Sequence, residues 1–547
     1  MPNYGFLIDQ SKCIGCHACS VACKSENQVP VGVNRTWVKY VETGAYPDVR
    51  RRFQVTRCNH CANPPCARIC PVSAMYQRAD GIVEFDPSIC IGCKSCMQAC
   101  PYDSIYLDPE TNTAAKCHFC AHRIDVGLEP ACVVVCPEHA ILAGDLDDPA
   151  AEIRHKLSTA QATVRKPEQG TAPKLFYING NDWSLHPTGS PVSESGYMWA
   201  DKVTEQNVSN YQRGTLALPV LTSKSGMPIR TPQQQGNPLN GPIQMGGRVA
   251  EHMVQTAYNA QHRIQWHWEL ASYIITKNIA GGLFMLLSLT ALFNPDGFSP
   301  VSFLAAGFVA MLFMLLTVLL LIKDLSQPKR FFYILMRPQW KSWLTRGAFV
   351  LIGFTAVAGV WLLVEAAAFG GLIADQPAAS IRPFAAVLVF PLALFTVIYT
   401  AFLLGQAEGR DMWQSPLLPF QLATQSIMLS SGAFLLLRAF VAVPPSLHHL
   451  LQILFPTAIG AHLLLTLAGN FNSFASEVAL LGHREMTHGR LRGLFWLGGV
   501  LLGHLLPLAL VFTQLTIALP YAVACGILGL FLFEYAFVLA PQRIPNS

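Results

Sequence analysis

The 547-residue sequence predicts an α+β domain followed, after a connector, by an all-α membrane domain of eight transmembrane helices. Sixteen of the 17 cysteines lie between Cys13 and Cys136, and 52% of all residues are hydrophobic while only 13% are charged. Soluble proteins have about a quarter of their residues charged, so this composition indicates a membrane protein. We place the cysteine-rich domain at 1–182, the connector at 183–265 and the membrane domain at 266–547.

Charge and local composition argue against a nucleic-acid partner and a signal peptide, and they characterise the connector. The net charge of +5 is too small to indicate nucleic-acid binding, so we expect no nucleic-acid partner. The first residues, MPNYGFLIDQSKC, contain neither a basic nor an apolar region, and we therefore expect no signal peptide. The connector is rich in Pro, Gly, Gln and Ser without apolar periodicity, which indicates an extended or partly disordered segment.

Eight segments of the membrane domain are apolar enough to cross a bilayer, which takes about 20 residues. Turn-forming stretches such as NPDG, SQPKR and DQPAAS separate them. In sequence order, spans 1 to 8 are predicted at 271–293, 301–323, 344–366, 383–405, 417–439, 447–469, 491–513 and 519–541.

The distribution of basic residues predicts the orientation. Eight spans place both ends of the membrane domain on one side, where the loops and ends carry eleven Lys and Arg, whereas the opposite loops carry only Arg382 and Arg438. Because positive residues are enriched in cytoplasmic loops, we predict a multi-pass inner (cytoplasmic) membrane protein whose cysteine-rich domain and both termini are cytoplasmic. Alternatively, the basic loop 323–346 docks a partner, or a partner's signal exports the domain.

The cysteines form four groups, each of which begins with a C-x-x-C pair and ends with a pair separated by three residues. The first and third groups have the spacing of bacterial ferredoxins, whereas the second and fourth have wider central gaps. The groups are Cys13, Cys16, Cys19 and Cys23; Cys58, Cys61, Cys66 and Cys70; Cys90, Cys93, Cys96 and Cys100; and Cys117, Cys120, Cys132 and Cys136.

This spacing suits 4Fe-4S clusters. Each cluster needs four thiolates; a tight loop can supply three, and the fourth cysteine of a group reaches a neighbouring cluster. Sixteen cysteines therefore predict four clusters in a double ferredoxin-like iron–sulfur domain. Zinc is the alternative, but zinc motifs rarely add a third and a fourth cysteine at these distances. Cys525 lies in an apolar span and is predicted to be a packing residue.

Beyond its cysteines, the sequence resembles two families of respiratory subunits. Residues 1 to about 180 are similar to the four-cluster ferredoxin subunits of DMSO reductase-type molybdoenzymes, the NrfC and DmsB kind, in CPEHAILAGDLDDP and GTAPKLFYING. Residues from about 257 resemble the NrfD and polysulfide reductase membrane anchors in HWELASYIITKNIAGG, KDLSQPKRFFYILMRPQWKSWLTRGA and YTAFLLGQAEGRDMW. The whole protein thus resembles a fusion of two subunits that are often separate.

The resemblance implies a cluster arrangement that spacing leaves open. It pairs the first cysteine group with the fourth and the second with the third, whereas spacing alone also allows the first with the second. The implied ligand sets are Cys13, Cys16, Cys19 and Cys136; Cys58, Cys61, Cys66 and Cys100; Cys90, Cys93, Cys96 and Cys70; and Cys117, Cys120, Cys132 and Cys23. The resemblance also implies electron transfer between a quinone pool and a molybdopterin-containing catalytic subunit.

Ionisable and polar residues inside the spans are candidates for a quinone site, because such residues are costly in a bilayer. Lys277, Tyr399, His462 and Glu534 are all predicted roughly 9–11 Å from the side of the cysteine-rich domain, at about 1.5 Å per residue. We predict Tyr399 and His462 as donors to the quinone and Glu534 with Lys277 as a proton-handling pair. Asp324 and Arg330 are predicted to mark the mouth of the site. Alternatively, Lys277 snorkels, His462 bonds a carbonyl and Tyr399 belongs to an aromatic belt.

Two deeper residues suggest other functions. His504 in span 7 and Glu365 in span 3 could line a proton path. A bis-histidine haem would need two histidines at matched depth, whereas His462 and His504 are predicted to differ by roughly 8–10 Å. We therefore expect no haem.

The sequence therefore favours an electron-transfer and membrane-anchor subunit that reacts with menaquinone or ubiquinone in the lipid bilayer. The sequence contains no motif for substrate chemistry, so we expect the catalytic residues on a partner. The first alternative is an ion-translocating module of a larger redox complex, with Lys277, Glu534, His504 and Glu365 as a path. The second is a passive anchor without a quinone site.

Overall fold

The computed structural model describes residues 2–43, 48–180, 185, 255–260, 263–294, 298–471, 476–513 and 517–547. Most of the predicted connector, 183–265, therefore lies outside the described residues. One part of it, Gln255–Tyr258, is a β-strand that belongs to the cysteine-rich domain.

The cysteine-rich domain is built on two small sheets. Their strands are β1 Tyr4–Asp9, β2 Thr36–Thr43, β3 Arg50–Arg57, β8 Ile141–Asp145, β9 Ala162–Thr163, β10 Leu175–Ile178 and β11 Gln255–Tyr258. The first sheet has the order β8-β1-β10-β9, and the second has the order β11-β2-β3. β1 pairs in parallel with β10 and antiparallel with β8.

The described part of this domain also contains two hairpins and six short α-helices, and these elements confirm the predicted α+β class. The hairpins pair β4 Met75–Gln77 with β5 Val83–Phe85, and β6 Ile105–Leu107 with β7 Ala114–Lys116. The helices are α1 Ala18–Glu26, α2 Pro65–Ile69, α3 Ser95–Ala99, α4 Ala121–Ile124, α5 Ala131–Val134 and α6 Glu152–Thr159. Helices α1, α2, α3 and α5 each carry at least one cysteine of the four groups.

A fully buried lysine in β2 gives the cysteine-rich domain a pH-dependent stability. Burial, followed by the nearby charge of Arg165, lowers the pKa of Lys39 to about 7 from its ordinary 10.5. Between these values the unfolded protein takes up more protons than the folded one, so the free energy of unfolding rises with pH. We expect a slope approaching about 1.4 kcal/mol per pH unit. Thermal unfolding from pH 7 to 10 measures it, and the slope should flatten in Lys39→Met; equal slopes in both proteins would contradict the prediction.

The eight predicted membrane spans are confirmed. Spans 1 to 6 are Trp268–Phe293, Pro300–Asp324, Trp343–Phe369, Asp375–Gly405, Leu418–Leu437 and Pro445–Phe471, and span 8 is Ala518–Leu539. Span 7 begins as a π-helix, Leu494–Leu505, and continues as the α-helix Leu506–Phe512. Span 4 begins eight residues earlier than predicted, because its helix continues through Pro383. The short helices Tyr333–Met336 and Glu477–Thr487 lie between spans.

Span 1 is the central helix of the membrane domain. It packs against spans 2, 4, 5 and 8, and its side chains are largely buried within the protein rather than facing lipid. Gly282 makes one of these contacts possible, since a Cβ at this position would lie 2.6 Å from Ser426 O in span 5. The polar side chains of span 1 therefore face other helices.

The cysteine-rich domain is docked on one face of the membrane domain through polar contacts. Lys94 pairs with Asp324 at 3.0 Å, and Arg68 pairs with Glu408 at 2.6 Å. Arg410, almost completely buried, pairs with Asp103 at 3.0 Å. The docked face includes the end of span 2 and the start of span 3, which flank the basic loop 323–346 singled out in the sequence.

Candidate functional site

Two similar loops begin the cysteine sites. Cys13-Ile14-Gly15-Cys16 precedes α1, and Cys90-Ile91-Gly92-Cys93 precedes α3. Gly15 and Gly92 have φ values of 72° and 69°, which side chains rarely adopt. A Cβ at Gly15 would also lie 2.4 Å from the Phe53 ring. Glycine therefore allows each loop to turn tightly and bring successive cysteines to one side.

The structure brings the cysteines together in four sets, each with three residues from one group and one from another. Three of these sets each line a cavity: Cys13, Cys16, Cys19 and Cys136; Cys58, Cys61, Cys66 and Cys100; and Cys70, Cys90, Cys93 and Cys96. In the fourth set, Asn27 Nδ2 lies 3.7 Å from Cys23 Sγ and 3.8 Å from Cys120 Sγ, and Cys117 and Cys132 are electrostatic neighbours of Cys23. All 17 cysteines are free rather than in disulfides.

The sets suit a cluster better than a single ion. Among the described residues, no three His, Cys, Asp or Glu side chains converge on a single-metal position, as four-thiolate zinc would require. Instead the sulfurs surround cavities, and backbone N–H groups approach two of them: Ala74 N lies 3.2 Å from Cys70 Sγ, and Ala140 N lies 3.3 Å from Cys136 Sγ. Hydrogen bonds to sulfur are typical of iron–sulfur sites.

Binding of a cluster would change the protonation state of the buried thiols. Burial raises the pKa of Cys19 and of Cys100 to about 11. Buried thiols of this kind remain protonated near neutral pH unless positive charge compensates them, and coordinated iron supplies that charge. The cysteine sets therefore fit the iron–sulfur group that the spacing predicts.

One cysteine set lies directly against the membrane domain. Trp266 Nε1, just before span 1, donates to Cys93 O at 3.2 Å, and Ser326 N donates to Gly92 O at 3.1 Å. Lys94 Nζ donates to Asp324 O at 2.6 Å, and Arg330 donates to Cys90 O at 3.0 Å. Asp324 and Arg330, predicted at the mouth of a quinone site, thus hold the loop of this cysteine set.

Lys277 and Tyr399 meet between spans 1 and 4. The Lys277 ammonium donates to Val397 O at 2.7 Å and to Thr400 Oγ1 at 2.6 Å, and it lies 4.9 Å from the centre of the Tyr399 ring. Tyr273 and Tyr399 hydrogen-bond through their hydroxyl groups. Since Lys277 Nζ is fully buried and bonded in this way, it does not snorkel to the interface.

A second buried polar network crosses from span 1 to span 8. Asn278 Nδ2 donates to Gln425 Oε1 at 2.6 Å, and Gln425 Nε2 donates to Glu534 Oε1 at 2.8 Å. Glu534 interacts electrostatically with Lys277 without a direct ion pair among the described residues. Glu534 Oε2 and Asn278 Oδ1 are buried without a hydrogen-bond partner in the described part of the protein.

Sequence reasoning missed four members of these networks: Tyr273, Asn278, Thr400 and Gln425. Tyr273 could have been found, because it lies one helical turn before Lys277 and therefore on the same face of span 1. Asn278 and Gln425 carry no charge in the sequence, and only the packing of spans 1, 5 and 8 shows that they connect to Glu534.

The predicted depth difference between His462 and His504 is wrong. His462 Nδ1 lies 2.8 Å from His504 Nε2, and the two rings are nearly parallel. The helices extend differently from the prediction: His462 is nine residues from the end of span 6 at Phe471, and His504 is ten residues from the start of span 7 at Leu494. The depth argument against haem therefore fails, and the expectation of no haem stays a prediction.

Glu365 lies apart from this polar group. Arg382 at the start of span 4 forms two hydrogen bonds with it, at 2.8 and 2.9 Å, and Trp361 Nε1 donates to it at 3.2 Å. Among the described residues, no hydrogen bond links Glu365 to His504 or Lys277.

Comparison with known families agrees with both parts of the structure. The family described as "Polysulphide reductase, NrfD" matches residues 256–544, more than half of the sequence. This protein belongs to the NrfD family. In front of this NrfD region, a 4Fe-4S binding domain matches residues 4–25 and a 4Fe-4S dicluster domain matches residues 49–146. The protein is therefore a multi-pass membrane protein with an iron–sulfur domain fused before its NrfD region.

The iron–sulfur domain is similar to subunits of several reductases. It is 45% identical over 189 residues to a tetrathionate reductase subunit of Salmonella typhimurium, covering 34% of this protein and 76% of that relative. It is 43% identical over 179 residues to protein NrfC of Escherichia coli K12, covering 32% and 80%. It is 46% identical over 177 residues to the thiosulfate reductase electron transfer subunit PhsB of Salmonella typhi, covering 32% and 91%.

Proposed function

We propose that this NrfD-family protein transfers electrons between a membrane quinone and a molybdopterin-containing catalytic subunit through four 4Fe-4S clusters. The observation that carries the proposal is the placement of the cysteine sets. One set contacts the polar interface with the membrane domain, and another reaches the surface of the iron–sulfur domain, where Cys16 is exposed. The two ends of an electron-transfer path are thus available to two different partners.

The four sets observed in the structure are the ligand sets of this proposal. Three cysteines come from one loop and the fourth from another group, as the resemblance to four-cluster subunits implies. A 4Fe-4S cluster, when bound, accepts or gives one electron at a time. The protein's own residues hold each cluster, exclude water from the interior sets and donate backbone N–H groups to their sulfurs.

At the membrane end, Lys277, Tyr399 and Glu534 supply the groups that menaquinone or ubiquinone needs. Quinone carbonyl oxygens need hydrogen-bond donors, and Tyr399 with Lys277 can provide them. Reduction or oxidation also requires proton exchange, for which Glu534 has an oxygen without a partner among the described residues. Asp324 and Arg330 fix the adjacent cysteine loop. His462, which pairs with His504, contacts the ring of Phe533 in span 8.

At the other end, exposed apolar side chains surround the outer cysteine set. Ile14 is 55% exposed, and Val21 and Val134 are 65% and 60% exposed. Ile14 lines the same cavity as Cys13 and Cys16, Val21 lies in α1, and Val134 lies two residues before Cys136. Apolar exposure around a redox site is typical of a protein-docking surface. We assign this surface to the catalytic subunit.

The proposed location is the inner (cytoplasmic) membrane with the iron–sulfur domain in the cytoplasm. The excess of Lys and Arg on the docked face supports this orientation. Alkylation of engineered surface cysteines by a membrane-impermeant reagent in intact cells would measure it.

The first experiment determines the composition of the anaerobically purified protein. Four clusters require about sixteen iron and about sixteen acid-labile sulfide per protein molecule. Zinc in place of iron, without acid-labile sulfide, would contradict the proposal.

The second experiment tests the quinone end. Short-chain quinols should reduce the clusters, observed as bleaching of the visible absorbance, and Tyr399→Phe and Lys277→Met should slow this reduction roughly 10-fold or more. Thr457→Ala, on the exposed side of span 6, is the matched control that should leave the rate unchanged. If all three variants reduced the clusters at the wild-type rate, the result would favour a passive anchor.

Ion translocation is the second candidate function. The buried network Asn278–Gln425–Glu534, with two unpartnered oxygens among the described residues, is the observation that favours it. Reconstituted vesicles that release more protons than the quinone reaction itself produces would support it. Loss of this excess in Gln425→Leu, with unchanged cluster reduction, would separate it from the quinone site.

A further inference from the structure

A buried arginine lies beside the cysteine set that contains Cys132. Arg57, the last residue of β3, is completely buried, and its Nη1 donates to Cys132 Sγ at 2.9 Å. Its guanidinium also lies 4.6 Å from the centre of the Phe6 ring. The cation is therefore held against a predicted cluster ligand in a site without water access.

Among the described residues, no ion pair joins Arg57 to a carboxylate. The groups that act on it most strongly by charge, in decreasing order, are the sulfurs of Cys132, Cys117 and Cys19. Its Nε and Nη2 are buried without a hydrogen-bond partner among the described residues. An arginine side chain stays protonated in proteins, and an unpaired buried charge is strongly unfavourable. The iron–sulfur sites themselves are thus the expected counter-charge.

The sulfurs that interact most strongly with Arg57 belong to two cysteine sets. Cys132 and Cys117 belong to one set, whereas Cys19 belongs to the set that reaches the exposed surface. For the set next to the membrane, the largest charge interactions of Cys93 and Cys96 in the described part of the protein are with other cysteines. The positive charge therefore acts unequally along the series of sites.

We propose that Arg57 raises the reduction potential of the cluster held by Cys23, Cys117, Cys120 and Cys132, and to a smaller degree that of the cluster held by Cys13, Cys16, Cys19 and Cys136. One-electron reduction adds a negative charge at the site, and a buried cation with a hydrogen bond to a ligand sulfur stabilises that charge. Arg57 is a positioning and tuning residue, since it acts through the ligand sulfurs. This inference rests on the proposed cluster count but not on the quinone site or the partner.

The test is a redox titration of the intact, detergent-solubilised protein, followed by electron paramagnetic resonance. In Arg57→Gln, which keeps a donor but removes the charge, we expect one midpoint to fall most, a second to fall less and two to stay unchanged. In Arg57→Lys, which keeps the charge, the same two midpoints should fall by less than in Arg57→Gln.

A buried lysine in the paired strand provides the control. Lys39 is equally buried, its charge neighbour is Arg165, and no cysteine acts on it. Lys39→Met should leave all four midpoints unchanged. If Arg57→Gln loses iron, the test rests on Arg57→Lys alone. A fall of the same two midpoints in Arg57→Lys, relative to the wild-type protein, then supports the proposal.

Two results would overturn the role of Arg57: midpoints unchanged in every folded variant that retains iron, or an equal fall of all four. Failure of the proposed function would be seen in a different measurement. The wild-type protein would then contain iron and acid-labile sulfide in amounts far from about sixteen per molecule, before any variant is titrated.

Discussion

Replacement of Gly409 by alanine should weaken the docking of the iron–sulfur domain on the membrane helices. A Cβ at Gly409 would lie 2.5 Å from Cys100 O and 2.6 Å from Gln98 O, and both contacts are with backbone that cannot rotate away. The loop is held on both sides, by the Arg68–Glu408 pair and by the Arg410–Asp103 pair, so it cannot retreat without breaking an ion pair. We expect a cost of about 1–3 kcal/mol to the docked state.

Hydrogen–deuterium exchange measures this effect without reference to function. Amides in 96–104 and 406–411 should exchange faster in Gly409→Ala, and the visible absorbance of the clusters should bleach faster in air. Gly405→Ala is the matched control, because nothing lies within 4 Å of a Cβ at that position, four residues earlier in the sequence. If Gly409→Ala exchanged like Gly405→Ala, the close approach of the two domains at this loop would be wrong.

Replacement of Gly347 by alanine should disable the proposed quinone site from a neighbouring helix. A Cβ at Gly347 in span 3 would lie 2.1 Å from Cε2 of the Tyr399 ring. The ring must then shift, which disturbs its contact with Lys277 and the hydrogen bond between the Tyr399 and Tyr273 hydroxyl groups. Because a displacement of about 1 Å can cost up to about 100-fold in rate, we expect quinol-driven cluster reduction to slow roughly 10- to 100-fold.

Gly353→Ala on the same helix is the control for this variant, because a Cβ there meets nothing within 4 Å. Stopped-flow reduction of the clusters by a short-chain quinol compares the two, and dithionite reduction shows whether the clusters themselves are intact. A normal quinol rate in Gly347→Ala, in a protein that dithionite reduces fully, would exclude Tyr399 from the quinone reaction.

Much of the architecture could be predicted because its signals are local in the sequence. Eight apolar segments identify eight spans, since the length of an apolar helix is fixed by the bilayer that it crosses. The two Cys-Ile-Gly-Cys loops, each followed by a third cysteine, likewise predict cluster ligands, since three sulfurs close together in sequence must lie close together in space. These parts of the prediction needed no knowledge of how the polypeptide folds back on itself.

Other features depend on which distant segments meet. Gln255–Tyr258 joins the sheet of β2 and β3 although it lies within the predicted connector, because strand pairing links residues about 200 positions apart. His462 and His504 were predicted at different depths in the membrane, yet their rings are in contact. Spans 6 and 7 begin and end at other residues than predicted, and span 7 begins as a π-helix, so the two histidines lie at similar depths.

The sequence by itself determined the number of spans and the presence of ionisable groups within them, and it predicted which cysteines are cluster ligands. Only the tertiary structure decided that Arg57 lies against Cys132, that Gln425 connects Asn278 to Glu534, and that the Glu408–Gly409–Arg410 loop meets the third cysteine group. The physical reason is that a ligand motif or an apolar segment depends only on residues that are close together in the sequence. A buried charge or a close backbone approach is instead a property of two segments, and neither segment alone contains it.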